Sequence, residues 1–343
     1  MKETISTLNN LQTNYQTLIE QESKTVANTP LIKHQNQKRL LRKLDDGKLW
    51  RELKNVPIIH VAGTKGKGST CSFVESILRK SGFKTGFFSS PHLVSACERI
   101  RVNHKPISEE KFSKYFWSVY DQLLPGERPA YFAFLSLVGL KCFIEEKVDV
   151  LVLEVGIGGK FCATNVYPPY WNSHFPGRIS CITSLGYDHC SILGYTIEEI
   201  TENKCGIFHP FSHNFSSLQP IPAAADLVQI LSMEKSRSNI FVSDQNLLAN
   251  AKLGLSGPYQ KENAALALAA CRKLMNIDQN EKLSKFEENG LKYASWPGRS
   301  QIVSHQVNGV NLNVYLDGAH TKGKHHNYYS NYIRRIEHNL YGR

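Results

Sequence analysis

Glycine, lysine and hydroxyl residues crowd into one short stretch, Gly63-Thr64-Lys65-Gly66-Lys67-Gly68-Ser69-Thr70. That mixture suits one chemistry, the holding of a phosphate chain. Glycines let the backbone curl so that successive N–H groups point at phosphate oxygens, and a helix starting there adds its partial positive charge. Lys67 is placed to neutralise outer phosphates, and Ser69 or Thr70 to meet a phosphate oxygen or a magnesium ion. The spacing departs from the general G-x-x-x-x-G-K-[ST] pattern. Two residues separate Gly63 from the Gly66-Lys67 pair, and Gly68 stands where Ser or Thr belongs. On the residues alone, a glycine- and lysine-rich turn without a ligand stays open. Gly156, Gly158 and Gly159 also follow an apolar run, but they lack the G-x-G-x-x-G spacing of a dinucleotide site.

A phosphate loop needs a strand before it and a helix after it. Pro57 to Val61 reads as a short buried strand, and a helical pattern carrying Phe73, Val74, Ile77 and Leu78 starts near Lys67 and ends at Gly82. Further strands are expected at 84–88, 148–155 and 179–184. The run 148–155 is continuously apolar, the type buried on both faces of a parallel sheet. Ser108 caps a helix to about Leu124, with Glu109 and Glu110 in its first turn. Other helices are expected at 131–145 and near 196–204, 222–235 and 260–275. Ile5, Leu8, Leu11, Tyr15 and Leu18 trace one face of an N-terminal helix, followed by a polar, Lys-rich stretch to about Lys54. The stretch from Tyr167 to Gly177 reads as an exposed loop. Alternating strands and helices predict a doubly wound α/β sheet. After the turn at Trp296 to Arg299, strands at 301–304 and 311–316 suggest that a second domain begins.

The chain has 343 residues, 41% hydrophobic and 21% charged, which suits a globular protein of about two domains. The longest apolar stretch, around Tyr131 to Leu140, falls short of the roughly 20 residues that span a bilayer. A net charge of +11 favours anionic partners without choosing among them, and no zinc-finger or RNA-binding spacing points to nucleic acid. The eight cysteines form no C-x-x-C pair, so free thiols are expected. Glu3 arrives early with no apolar block behind it, and Lys2 and Lys24 face Glu3, Glu20 and Glu22. Neither a secretory signal nor a mitochondrial leader is expected, and the reading is a cytoplasmic protein.

The phosphate stretch and several other blocks resemble one family. Leu8 to Asn14, Gly63 to Ser69, Thr85 to Leu93, Glu98 to Arg101, Leu153 to Gly159, Leu185 to His189, Lys204 to Phe208, Gln260 with Asn263 to Leu268, Trp296 to Arg299, and Leu316 to Thr321 follow one another in order. They resemble the folylpolyglutamate synthases of the Mur ligase superfamily, in their eukaryotic form, over roughly residues 4 to 321. The resemblance implies a Mur-ligase-like, three-layer phosphate-loop ATPase domain with a mostly parallel sheet, residues 1–297. A smaller, incomplete α/β glutamate-ligase domain is implied at 298–343.

It also implies a reaction. A folate carboxylate takes the γ-phosphate of ATP to give an acyl phosphate, and the amine of glutamate displaces phosphate to form an amide. Both steps gather negative charge, so cations carry them. The resemblance implies Lys67, Lys204 and His320 as catalytic residues, with Lys204 at the position of a carbamylated lysine. It gives Gly63, Thr64, Gly66, Lys67, Gly68, Ser69, Thr70 and Arg299 to the ATP phosphates, and Gln260, Asn263 and Asp317 to the base and ribose. Ser90, Glu154 and His189 are implied for Mg2+, with a monovalent cation left open as a further cofactor. The substrates implied are ATP, a reduced folate and glutamate, bound by a monomer without membrane or nucleic-acid partners. From the residues alone, Glu154 also fits a carboxylate that caps the next turn. Lys204 equally fits a surface lysine, His189 a structural histidine, and Arg299 a surface arginine after a turn.

The chain departs from the family at several places. Cys162 stands where an Asp is usual, His209 replaces a Lys, Tyr259 replaces a His, and the loop 167–177 is longer. The tail Lys322 to Arg343 matches nothing in the family pattern. That leaves a second expectation open: a relative that binds ATP or folate without joining glutamate.

Overall fold

The computed structural model describes residues 1–11, 29–167, 177–210, 212–236, 241–242, 245–299, 301–307 and 310–317. Its centre is an eight-stranded sheet. The strands are β1 (Ile58–Ala62), β2 (Thr85–Phe88), β3 (Ile100–Val102), β4 (Lys105–Pro106), β5 (Val150–Glu154), β6 (Arg178–Ile182), β7 (His213–Ser216) and β8 (Phe241–Val242). They lie in the order β4-β3-β2-β5-β1-β6-β7-β8. The five pairings from β2 through β8 are parallel, and β3 and β4 add an antiparallel edge. The mostly parallel α/β architecture expected from the alternation is the one observed.

Strand alternation divides the core into two layers. Val150 and Val152 of β5, Ile59 and Val61 of β1, and Ile179 and Cys181 of β6 face one way. There they meet Phe73, Val74 and Ile77 of the helix Lys67–Lys80, and Ala264, Leu268 and Cys271 of the helix Gln260–Met275. Leu151 and Leu153 face the other way, against Leu135 and Val138 of the helix Tyr131–Glu145. Strands buried on both faces need this continuous apolar run, because neither side sees water.

The architecture places the site. In an open parallel sheet, ligands gather beyond the carboxyl ends of the strands, where the chain order reverses. Here β1 sits between β5 and β6, and their carboxyl ends deliver Gly63, Glu154 and Thr183 to one edge.

The expected strands and helices in the 57–275 region lie within a few residues of the observed ones. Other elements differ. The Lys-rich stretch before Lys54 contains helices Pro30–Lys43 and Lys48–Leu53, the first capped by the Thr29 hydroxyl. Strand β7 was not expected because its residues are polar. Asn214 is nonetheless buried there, donating to the hydroxyls of Ser232 and Ser236. The expected N-terminal helix is described as Lys2–Asn9, and its continuation to Leu18 and the loop 168–176 lie outside the described residues. Strands β9 (Gln301–Val307) and β10 (Val310–Leu316) pair antiparallel and, among the described residues, only with each other. No described helix is long and apolar enough to cross a membrane.

Candidate active site

The loop Gly63–Gly66 joins β1 to the helix Lys67–Lys80, the strand-turn-helix setting a phosphate loop needs. Gly66 is left-handed at φ 91° and caps the helix, and the N–H of Thr70 donates to its carbonyl at 2.8 Å. A Cβ on Gly66 would lie 2.2 Å from Asn263 Oδ1, so no other residue fits without displacing that amide. Gly68, Ser69 and Thr70 form the first helical turn, where unpaired N–H groups and the helix dipole favour an anion.

Two lysines converge on this loop. Lys67 Nζ donates to the carbonyls of Gly63 at 3.1 Å and Thr64 at 3.4 Å. Lys204, the last residue of the helix Ile197–Lys204, is 2% exposed and donates to the same Gly63 carbonyl at 2.9 Å. Burial, reinforced by the neighbouring Lys67 charge and opposed by Asp188, pushes the Lys204 ammonium down to about 7. Near neutral pH it is a partly deprotonated amine rather than a fixed cation.

Glu154 ends β5 and is 3% exposed. Its Oε2 accepts from the N–H of Ser90 at 3.1 Å, next to the cis Ser90–Pro91 peptide. Burial raises its carboxyl above the usual range, and Lys67, the Ser90 N–H, Arg299 and Arg99 oppose that rise. Ser90 and Glu154 are therefore brought together. His189 stands at the start of the short helix Cys190–Leu193 in a left-handed conformation, beside Asp188, whose Oδ1 accepts from the His189 N–H at 3.0 Å. No cluster of three or more His, Cys, Asp or Glu with metal-binding geometry occurs among the described residues.

Gln260 and Asn263 open the helix Gln260–Met275 and are both buried. Asn263 Nδ2 donates to Gln260 Oε1 at 2.9 Å, Gln260 Nε2 to Ser69 Oγ at 3.3 Å, and Thr70 Oγ1 to Asn263 Oδ1 at 3.4 Å. The amide pair is thus joined to the phosphate loop rather than free in the cavity. A cavity of about 280 Å³ opens over the loop, with Lys67, Glu154, Gln260, Asn263, Arg299 and Asp317 in its walls. His320 lies outside the described residues.

Two groups that the sequence left without a role also face this region. Arg99 donates through Nε to His92 Nδ1 at 2.8 Å and stacks 5.4 Å above the ring of Tyr131. Its charge is felt at Glu154. Trp296 packs on Phe87 at 5.0 Å, and the Arg101 guanidinium lies 4.9 Å from its ring centroid, contacts that anchor the segment that carries Arg299. The blocks Glu98 to Arg101 and Trp296 to Arg299 were visible in the sequence. Their side-chain directions were not.

Fold and loop together define a Mur-ligase-like phosphate-loop protein. No family model matches the chain. It is 37% identical over 357 residues to the folylpolyglutamate synthase of Candida albicans, covering 93% of this chain and 66% of that protein. It is 41% identical over 297 residues to the Arabidopsis thaliana folylpolyglutamate synthase, covering 80% of this chain and 50% of that one. Among solved structures, E. coli FolC in complex with DHPP and ADP superposes with a TM-score of 0.69 at 27% identity, covering 94% of this chain and 72% of that one. The chain belongs to the folylpolyglutamate synthase family. It spans between about half and two thirds of the length of these two curated relatives.

Proposed function

We propose that the chain acts as an ATP-dependent ligase that extends a reduced folate with glutamate through an acyl phosphate. The observation that carries this reading is the convergence of Lys67, Lys204 and the Gly63–Thr70 loop at one end of the sheet, beside the buried carboxylate of Glu154. The similar E. coli protein was solved with ADP and DHPP, which supports a nucleotide in the corresponding cavity.

In this reading the N–H groups at the start of the helix Lys67–Lys80 hold the phosphate chain. Lys67 leaves the Gly63 and Thr64 carbonyls to meet the transferring phosphoryl group, where a fixed cation is worth most. Arg299 offers its forked donors from the cavity wall. Gln260 and Asn263 brace the loop and bound the nucleotide side of the cavity, with Asp317 toward the ribose and His320 toward the second substrate. Lys204 is buried and easily deprotonated, so its neutral amine can take up carbon dioxide, releasing a proton and becoming an anionic carbamate.

The donors present fit magnesium. Glu154 supplies a hard carboxylate oxygen on the cavity wall, and its Oε1 has no protein hydrogen-bond partner among the described residues. Ser90 adjoins it, and a magnesium ion that takes most of its shell from phosphate and water needs few protein ligands. Ser90, Glu154 and His189 would hold it, and it would neutralise phosphate charge. The eight free cysteines suit a reducing compartment, and the proposal places the chain in the cytoplasm.

The test is transfer of labelled glutamate onto tetrahydrofolate by the purified chain with ATP and Mg2+. Transfer is expected for the wild-type chain and a loss of at least ~100-fold for Lys67→Ala, the scale of removing one transition-state donor. A folded wild-type chain that binds ATP but transfers nothing would replace this reading with one of binding without ligation.

A further inference from the structure

The motif assigns Thr64 to the phosphates, yet its hydroxyl is already committed. Thr64 is 6% exposed. Its Oγ1 donates to the carbonyl of Gly186 at 2.9 Å and accepts from the N–H of the same residue at 3.1 Å. One hydroxyl thus satisfies both polar groups of a single residue and has no proton left for a ligand. The backbone repeats the connection. The N–H groups of Thr64 and Lys65 both donate to the Ser184 carbonyl, at 3.0 and 3.2 Å. Thr183 N–H donates to the carbonyl of Ala62 at 2.9 Å. Gly63 sits at φ 145°, so close to Thr183 that a Cβ would lie 1.9 Å from its hydroxyl oxygen. The run Ala62 to Lys65 and the segment after β6 are therefore stitched together, through Thr183, Ser184 and Gly186 on the second side. Two and three residues beyond Gly186 the same segment presents Asp188 and His189.

We propose that Thr64 is a positioning residue. Its hydroxyl locks the phosphate loop to Gly186 and so fixes the separation between the bound phosphates and the Asp188-His189 segment. The inference rests on the nucleotide reading above and adds to it a specific device. The Thr64 hydroxyl couples the nucleotide to its metal while bonded to Gly186 rather than to either.

Calorimetric titration with ADP, in EDTA and in Mg2+, tests this without relying on turnover. Thr64→Val keeps the shape and removes the hydroxyl, and Thr64→Ser keeps the hydroxyl and removes the methyl. Metal-free ADP affinity is measured first for each variant and serves as its own baseline, so that a direct effect of the substitution on the loop cancels from the Mg2+ gain. The gain in affinity that Mg2+ brings should fall by about tenfold in Thr64→Val, the lower end of what loss of a supporting partner costs a metal site. Thr64→Ser should retain it. A purely structural role would lower the melting temperature of Thr64→Val and leave the Mg2+ gain intact, which would overturn the proposal. Loss of the gain in Thr64→Ser as well would overturn it by assigning the effect to the methyl group. A wild-type chain that binds ADP without any Mg2+ gain would overturn it and spare the nucleotide reading, whereas no ADP binding at all would remove both. If Thr64→Val does not fold, Thr64→Ala takes its place in the same titration.

Discussion

Lys204 is the side chain whose environment says most about the site. A lysine near a helix end is ordinarily a solvated cation, and nothing in its neighbours in the sequence says otherwise. Only the tertiary approach to the Gly63 carbonyl, with Lys67 alongside, buries it and drives its proton affinity down. This has a measurable consequence. Because the folded-state value, about 7, lies below the ordinary lysine value of 10.5, the unfolded chain binds more protons between them. Burial of the charged form costs stability in full below pH about 7, and the cost is relieved as pH rises toward the unfolded value. Lys204 should therefore add a positive stability slope over pH 7 to 9 that approaches ~1 kcal/mol per pH unit. Denaturant unfolding of Lys204→Met in carbonate-free buffer should show that slope flattened. An unchanged slope would mean that the ammonium is solvated after all. Glu154 shows the same division between sequence and structure. Its place at the end of an apolar strand was legible, but the Ser90 N–H that holds it was not.

At the scale of elements, the strand-loop-helix unit from Ile58 to Lys80 was the most legible part of the chain. Its apolar strand, glycine turn and helical period all agree locally. The second helix that completes it was legible as a helix only. That Gln260 and Asn263 turn their amides onto Ser69, Thr70 and Gly66 depends on how the alanine-rich face of Gln260–Met275 packs against Lys67–Lys80. Spacing within one element cannot report the gap between two. Polar residues buried by tertiary hydrogen bonds hid β7 for the same reason, and His34 and Gln37 are buried in the helix Pro30–Lys43, which was read as a polar stretch. The packing predicts the effect of one added methyl. Gly66→Ala must adopt a left-handed conformation and displace Asn263, which together cost of order 1–3 kcal/mol. Its melting temperature should fall by several degrees, on the scale of ~2–4 °C per kcal/mol for a domain above 150 residues. Thermal denaturation of the variant checks this. An unaltered melting temperature would show that the loop relaxes freely.

For the whole molecule, the order of strands makes the site possible. Inserting β5 between β2 and β1 and placing β6 beyond β1 brings three strand ends together at the point where the topology reverses. The sequence predicted a parallel sheet without predicting this order, because a crossover can place its next strand on either side. The antiparallel pair β9 and β10 was expected as two strands, and Arg299 and Asp317, which flank it, both reach the cavity. A net charge of +11 adds a long-range attraction for anionic ligands that weakens with salt.

The most direct test of the account is whether this loop holds a nucleotide. Thermal denaturation of the full chain with millimolar ATP and Mg2+ should raise the melting temperature by several degrees over buffer, since a ligand at ~100 times its Kd stabilises the native state by about 2.7 kcal/mol. Lys67→Ala should lose most of that rise while melting close to the wild type without ligand. No rise in the wild-type chain, or an equal rise in the variant, would contradict the placement of the phosphates at Gly63–Thr70.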